Sequence, residues 1–183
     1  MGKELAVELK ETDTFLYFAY GSNMSAARLC AADRTPSANF LCRAHVAGYR
    51  LAFDKVSKDG SGKADCERTD EEKDVVYGAL FQIAQSERRA LDKVEGAGKG
   101  YAAVEIGVTT SAGVFEALTF LASRKDPTLK PYSWYVRHVL VGAKESALPE
   151  AYIDAIERAP TVKDVNLERE AKELAAYAKW TMR

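Results

Sequence analysis

Hydrophobic runs and their interruptions divide the chain into strands first and helices last. Phe15, Leu16, Tyr17 and Phe18 are consecutive apolar residues with aromatic β-formers among them, so residues 15–20 read as a buried strand. That run stops abruptly at Tyr20-Gly21-Ser22-Asn23, and Ser25 to Ala32 reads as a short helix. Residues 43–53 alternate roughly between polar and apolar, the pattern of a strand with one solvated face. From Asp54 to Asp74 the composition turns charged and glycine-containing, which predicts a surface loop with room for one short strand near Ala64 to Arg68. Residues 75–83, VVYGALFQI, form the clearest buried strand, and Ser86 to Val94 follow with helix formers that Gly96, Gly98 and Gly100 bring to a stop. Residues 101–110 and 114–122, joined by Ser111-Ala112-Gly113, pattern as a hairpin. Beyond Pro127 and Pro131 three helical segments begin at Ser133, Pro149 and Val165.

Hairpins in the first two thirds and helices in the last third predict an α+β fold. Regular βαβ alternation is missing, and no G-x-G-x-x-G opens a helix after the first strand, which argues against a doubly wound nucleotide fold. GAGKG at residues 96–100 follows a helix rather than a strand and has no Ser or Thr after its lysine, so it does not satisfy a phosphate loop.

Composition narrows the ligand. The 183 residues fit a single domain, and 26 Lys+Arg against 27 Asp+Glu give a net charge of -1, with no global basic field for nucleic acid. Cys30, Cys42 and Cys66 are odd in number and lack C-x-x-C pairing, which points to a reducing, cytoplasmic compartment. No apolar stretch reaches the roughly 18 residues that would span a bilayer. The N-terminus lacks a signal-peptide core, and Ala6 stands where a Gly2 myristoylation motif wants Ser or Thr. A small-molecule ligand is the expectation, with no nucleic acid and no membrane partner.

Metal and covalent chemistry are poorly supplied. His45 and His138 are the only histidines, neither in a metal-binding frame, and both read as half-exposed structural residues. Ser22 lacks the G-x-S-x-G context of an activated serine. Glu95 is more informative, because it ends the helix in LDKVEG, where the negative end of the helix dipole raises a carboxylate's pKa. Either it projects into water, or it is a general base tuned upward. Gly21, Ser22 and Asn23 present an equal choice, between ordinary turn chemistry and backbone amides bared for an anion. Tyr17, Tyr20, Tyr101 and Tyr135 each read singly as packing residues.

Taken together, FLYFAYGSN, LDKVEG followed by Tyr101, and Tyr135 followed by VGAKESALP resemble the γ-glutamylcyclotransferase family, in its γ-glutamyl amino acid branch. The likeness runs from about Phe15 to Pro149, a core of residues 15–149 with a helical extension at 150–183. It implies a mixed β-barrel surrounded by helices, and conversion of a γ-glutamyl amino acid to 5-oxoproline and the free amino acid without a cofactor. It further implies that Glu95 is catalytic, and that Tyr17, Phe18, Ala19, Tyr20, Gly21, Ser22, Asn23, Tyr101 and Tyr135 bind substrate. The segment after Glu95 is one residue shorter than the family's usual spacing, and GKADCER is more polar than the corresponding family strand. Both put the leaving amino acid in question, with glutathione and γ-glutamylamines as alternatives alongside a non-catalytic binding domain. The apolar residues Trp134, Val136, Val139 and Leu140 pack either on the barrel or on a second copy, as a homodimer.

Overall fold

A computed structural model describes residues 13–178. The expectations for the first twelve residues, including the Gly2 motif, and for the helix beyond Ala178 lie outside them. Seven strands are present: β1 (Thr14–Ala19), β2 (Asn39–Ala47), β3 (Tyr49–Val56), β4 (Gly62–Arg68), β5 (Val75–Ala84), β6 (Tyr101–Thr110) and β7 (Gly113–Ala122). Five helices accompany them: α1 (Ala26–Leu29), α2 (Arg88–Glu95), α3 (Ser133–Glu145), α4 (Glu150–Glu157) and α5 (Leu167–Ala178). The architecture is α+β, as the sequence predicts.

Five strands close into a barrel in the order β1-β5-β2-β6-β7. All pairings are antiparallel except the closure of β1 on β7, where Tyr17 faces Leu118 in parallel. The apolar run of β1 explains its central place, since Tyr17, Phe18 and Ala19 are all buried. Phe18, Leu80, Phe81, Ile83 and Val108 are at most 2 % exposed, giving the barrel a dense aromatic and aliphatic core.

β3 and β4 form a separate two-stranded sheet, and here two expectations are corrected. Residues 43–53 are not one strand. Gly48, at φ +80°, breaks them into the end of β2 and the start of β3, and turns the chain out of the barrel. The short strand expected near Ala64 to Arg68 is present as β4, but it is not part of a solvated loop, because it buries Ala64, Asp65 and Cys66. Its charges are tolerated because they are paired. Asp65 accepts a hydrogen bond from the Ala122 amide at 2.7 Å and lies 3.0 Å from Lys125, which pins the hairpin to β7. Lys63 is 2.8 Å from Asp59 and lies over the Trp134 and Tyr135 rings.

α3 rests against the 3-10 turn that follows β1, Ser22–Met24. Gly142 permits this approach, because a Cβ there would overlap Met24 and the Ser25 backbone. Trp134, Val136 and Val139 are buried within the one chain, and Leu140 packs on the same core. His138 is fully buried rather than half-exposed, its Nδ1 2.6 Å from the Tyr177 hydroxyl and its Nε2 3.2 Å from Glu173, so α5 covers it. His45 on β2 is half-buried, as expected. No helix among the described residues is long and apolar enough to cross a membrane.

Candidate active site

β1 delivers the turn. The strand ends at Ala19, and the backbone at Gly21 comes so close to its neighbours that a Cβ would lie 3.1 Å from the Ala64 Cβ and 3.3 Å from the Tyr135 hydroxyl. A larger residue would push the turn away from β4 and α3. Gly21, Ser22 and Asn23 line a small chamber whose other walls are Tyr17 and Tyr20 of the β1 segment, Ala64 of β4, Tyr101 of β6, Phe120 of β7 and Tyr135 of α3. Glu95 completes it.

Glu95 is the last residue of α2, and Gly96 follows in the left-handed conformation at φ +66°. The Ala97 amide bonds back to Asp92 at 2.9 Å, closing the helix end and fixing the direction in which Glu95 leaves it. Its side chain turns inward: Oε1 accepts a short hydrogen bond from Nδ2 of Asn23. Burial pushes the Glu95 carboxyl above the usual carboxylate range, against the pull of Arg34, Arg28 and Lys55 and a hydrogen bond with Tyr17. The upward direction is the one the helix end suggested, but the leading cause is loss of water. Glu95 therefore does not project into solvent as a purely surface residue.

Asn23 is buried and polarised from both sides. Its Oδ1 accepts from Nη1 of Arg34 at 3.2 Å, while its Nδ2 serves Glu95 and lies 3.4 Å from the Tyr17 hydroxyl. The amide thus has one orientation, acceptor toward arginine and donor toward carboxylate.

The four tyrosines do different things. Tyr20 donates its hydroxyl proton to the Phe120 carbonyl, and Tyr101 donates to the Ala64 carbonyl at 2.6 Å, so both are committed to backbone. The Tyr135 hydroxyl instead accepts, from the Ala64 amide at 3.0 Å, which leaves its own proton to donate. Burial pushes its pKa up to about 12, and raises Tyr17, Tyr20 and Tyr101 as well, so all four enter as neutral phenols at physiological pH.

Of the ten residues proposed from sequence, eight meet in this chamber. Phe18 and Ala19 do not line it. Phe18 is fully buried in the core, and its carbonyl accepts from Thr119 at 2.9 Å. These two residues hold β1 in register. Conversely, Ala64 and Phe120 belong to the wall unannounced by any motif, because strand pairing and hairpin docking bring them there.

Outside the chamber the site widens to a mouth of about 160 Å³, also lined by Ser22, Asn23, Glu95, Tyr101 and Tyr135, and carrying Arg28, Arg34, Lys55 and Lys63. None of these cations was singled out by sequence. They come from α1, the segment after it, and the β3–β4 hairpin, and only folding gathers them.

A closed mixed barrel with a half-buried, inward-turned carboxyl facing a glycine turn defines a cyclotransferase-type fold, and comparison with known proteins agrees. The AIG2-like family matches residues 75–156. Mouse gamma-glutamylcyclotransferase is 32% identical over 148 residues, covering 78% of this chain and 77% of the relative, and the human protein of that name is 29% identical over 152 residues with the same coverage. A solved structure named gamma-glutamyl cyclotransferase superposes with a TM-score of 0.75 at 27% identity, over 88% of this chain and 99% of the other. The chain belongs to the γ-glutamylcyclotransferase family.

Proposed function

We propose that the protein converts γ-glutamyl amino acids to 5-oxoproline and the free amino acid, as one domain. The observation that carries this reading is Glu95, an inward-facing carboxyl of raised pKa, fixed by Asn23 at the edge of a chamber walled by neutral phenols and the Gly21 turn.

The substrate folds back on itself so that its α-nitrogen reaches its own γ-carbonyl. Intramolecular closure of a five-membered ring supplies the nucleophile and most of the proximity, so no protein nucleophile is required. An α-amine with a pKa near ~8 arrives mostly as the ammonium. That ammonium first gives one proton to solvent to bare its lone pair; Glu95 then takes a second proton from the same nitrogen as the new C–N bond forms, and returns it to the departing nitrogen as the γ-amide C–N bond breaks. A carboxyl above the usual range lies nearer the working pH, which suits a group that must first accept a proton and then give it up. The pull of Asn23 and Tyr17 keeps its lone pairs directed.

The remaining charge falls on the carbonyl oxygen. Tyr135, with its unspent proton, and the amides of Gly21, Ser22 and Asn23 are the donors assigned to the glutamyl α-carboxylate and the developing oxyanion between them. Tyr20 and Tyr101 act as walls that exclude water. Phe18 and Ala19 support the turn from behind.

The test is direct. Purified protein given γ-glutamyl-alanine should release 5-oxoproline, with glutathione and γ-glutamylamines run alongside. Ligand binding without 5-oxoproline would show a binding domain instead.

A further inference from the structure

Of the four cations at the mouth, two are already neutralised. Arg28 lies 2.6 Å from Glu173 of α5, and Lys63 lies 2.8 Å from Asp59. Arg34 and Lys55 are different. Both are half-buried, and among the described residues neither forms an ion pair. Arg34 is held by one neutral hydrogen bond to Asn23, and the Lys55 Nζ stands 4.5 Å over the Tyr101 ring. Burial lowers the pKa of each, the mark of a cation held partly out of water without adequate compensation. Such an arrangement costs stability unless an anion comes to it.

The geometry says which anion. Ser22, Asn23, Glu95, Tyr101 and Tyr135 line both chamber and mouth, so Glu95 stands at the junction. The nitrogen that receives its proton must lie there too. With the glutamyl part inside, everything beyond that nitrogen projects into the mouth. In an amino acid, the α-carboxylate is separated from that nitrogen by a single carbon, which places it among Arg34 and Lys55.

Building on the cyclotransferase reading above, we infer that Arg34 and Lys55 form the subsite for the α-carboxylate of the leaving amino acid. A free carboxylate at this position then becomes a selection rule. γ-Glutamyl amines lack it, and in a γ-glutamyl peptide with further residues an uncharged amide takes its place. Arg34 offers a planar fork and Lys55 a point charge, so the pair grips one carboxylate from two sides. Because Arg34 also holds Asn23, a bound carboxylate would share the same guanidinium that orients the partner of Glu95.

The experiment compares γ-glutamyl-alanine with γ-glutamyl-alaninamide, identical except for the charge. Initial rates of 5-oxoproline release and calorimetric affinities are measured for wild type, Arg34→Gln, Lys55→Met and the charge-preserving Lys55→Arg. Wild type should prefer the acid by roughly 10–100-fold in kcat/KM, the scale of hydrogen bonds to charged groups. The preference should collapse toward unity in Lys55→Met and Arg34→Gln and return in Lys55→Arg, which also controls for misfolding. Equal handling of acid and amide by wild type would overturn the subsite, as would a uniform loss on both substrates in the variants. If neither compound yields 5-oxoproline but the acid still binds more tightly than the amide, the subsite stands and the proposed reaction falls.

Discussion

Glu95 occupies a helix C-terminus, where Lys or Arg would be the stabilising choice, and its carboxyl is also partly withdrawn from water. Its raised pKa has a definite sign. The folded state holds its proton more tightly than the unfolded chain, so the ionised carboxylate costs stability above the raised value, and the cost fades as pH falls toward the ordinary value of 4.5. Glu95→Gln keeps an oxygen to accept from Asn23 but removes the charge. The variant should therefore melt higher than wild type at pH 8, with the two curves converging toward pH ~4.5. A lower melting temperature for the variant at pH 8 would mean the cations outweigh desolvation. Asn23→Ala tests the neighbouring contact, since loss of its amide frees Glu95 to turn. We expect kcat to fall roughly 10–100-fold, the scale of a lost hydrogen bond to a charged group, with a smaller change in KM.

At the scale of elements, the turn and α3 act as one unit. Gly142 is a poor helix residue, less favourable than alanine by about 0.5–1 kcal/mol in a helix interior, yet only a bare backbone fits against Met24 and Ser25. Gly142→Ala should thus destabilise the protein by about 1–3 kcal/mol in chemical denaturation, despite its better helix propensity. It should also raise KM by displacing Ser22 and Asn23. A neutral or stabilising result would show that the turn is not braced by α3. α5 is a second brace. Glu173 accepts from Arg28 and His138, which hold its carboxyl down at about 2, while burial lowers the His138 pKa. Both groups resist protonation in the folded state, so stability present above pH ~6.5 is lost as acid protonates first the unfolded histidine and then the unfolded glutamate. Protection of the α5 amides, taken as the exchange rate relative to the intrinsic one, should fall as pH drops from ~6.5 toward 2 in wild type, and Glu173→Gln should lose the part of that fall that lies below pH 4.5.

Across the whole molecule, the sequence is most readable where contacts are local. The β1 run, the β5 run, the β6–β7 hairpin and the end of α2 at Gly96 follow from patterns within a few residues, and the three motifs point to the chamber before any coordinates. What escapes is long-range. The β3–β4 hairpin looks solvated because its charges are visible in sequence, whereas their partners, Ala122, Lys125, Trp134 and Tyr135, lie far along the chain. Strand periodicity likewise cannot tell that Phe18 faces the core while Tyr17 reaches the chamber. The cationic mouth is hidden for the same reason, since no spacing links Arg34 to Lys55.

In the proposed reaction Glu95 moves the proton in cyclisation of a γ-glutamyl substrate. The measurement that bears on it most directly is the rate of 5-oxoproline release from γ-glutamyl-alanine by wild type and Glu95→Gln, each shown to be folded. Wild type should turn over clearly, and the variant should lose at least ~10²-fold in kcat, the usual scale of general acid–base catalysis. Equal rates for the two proteins, or no 5-oxoproline from wild type, would contradict it.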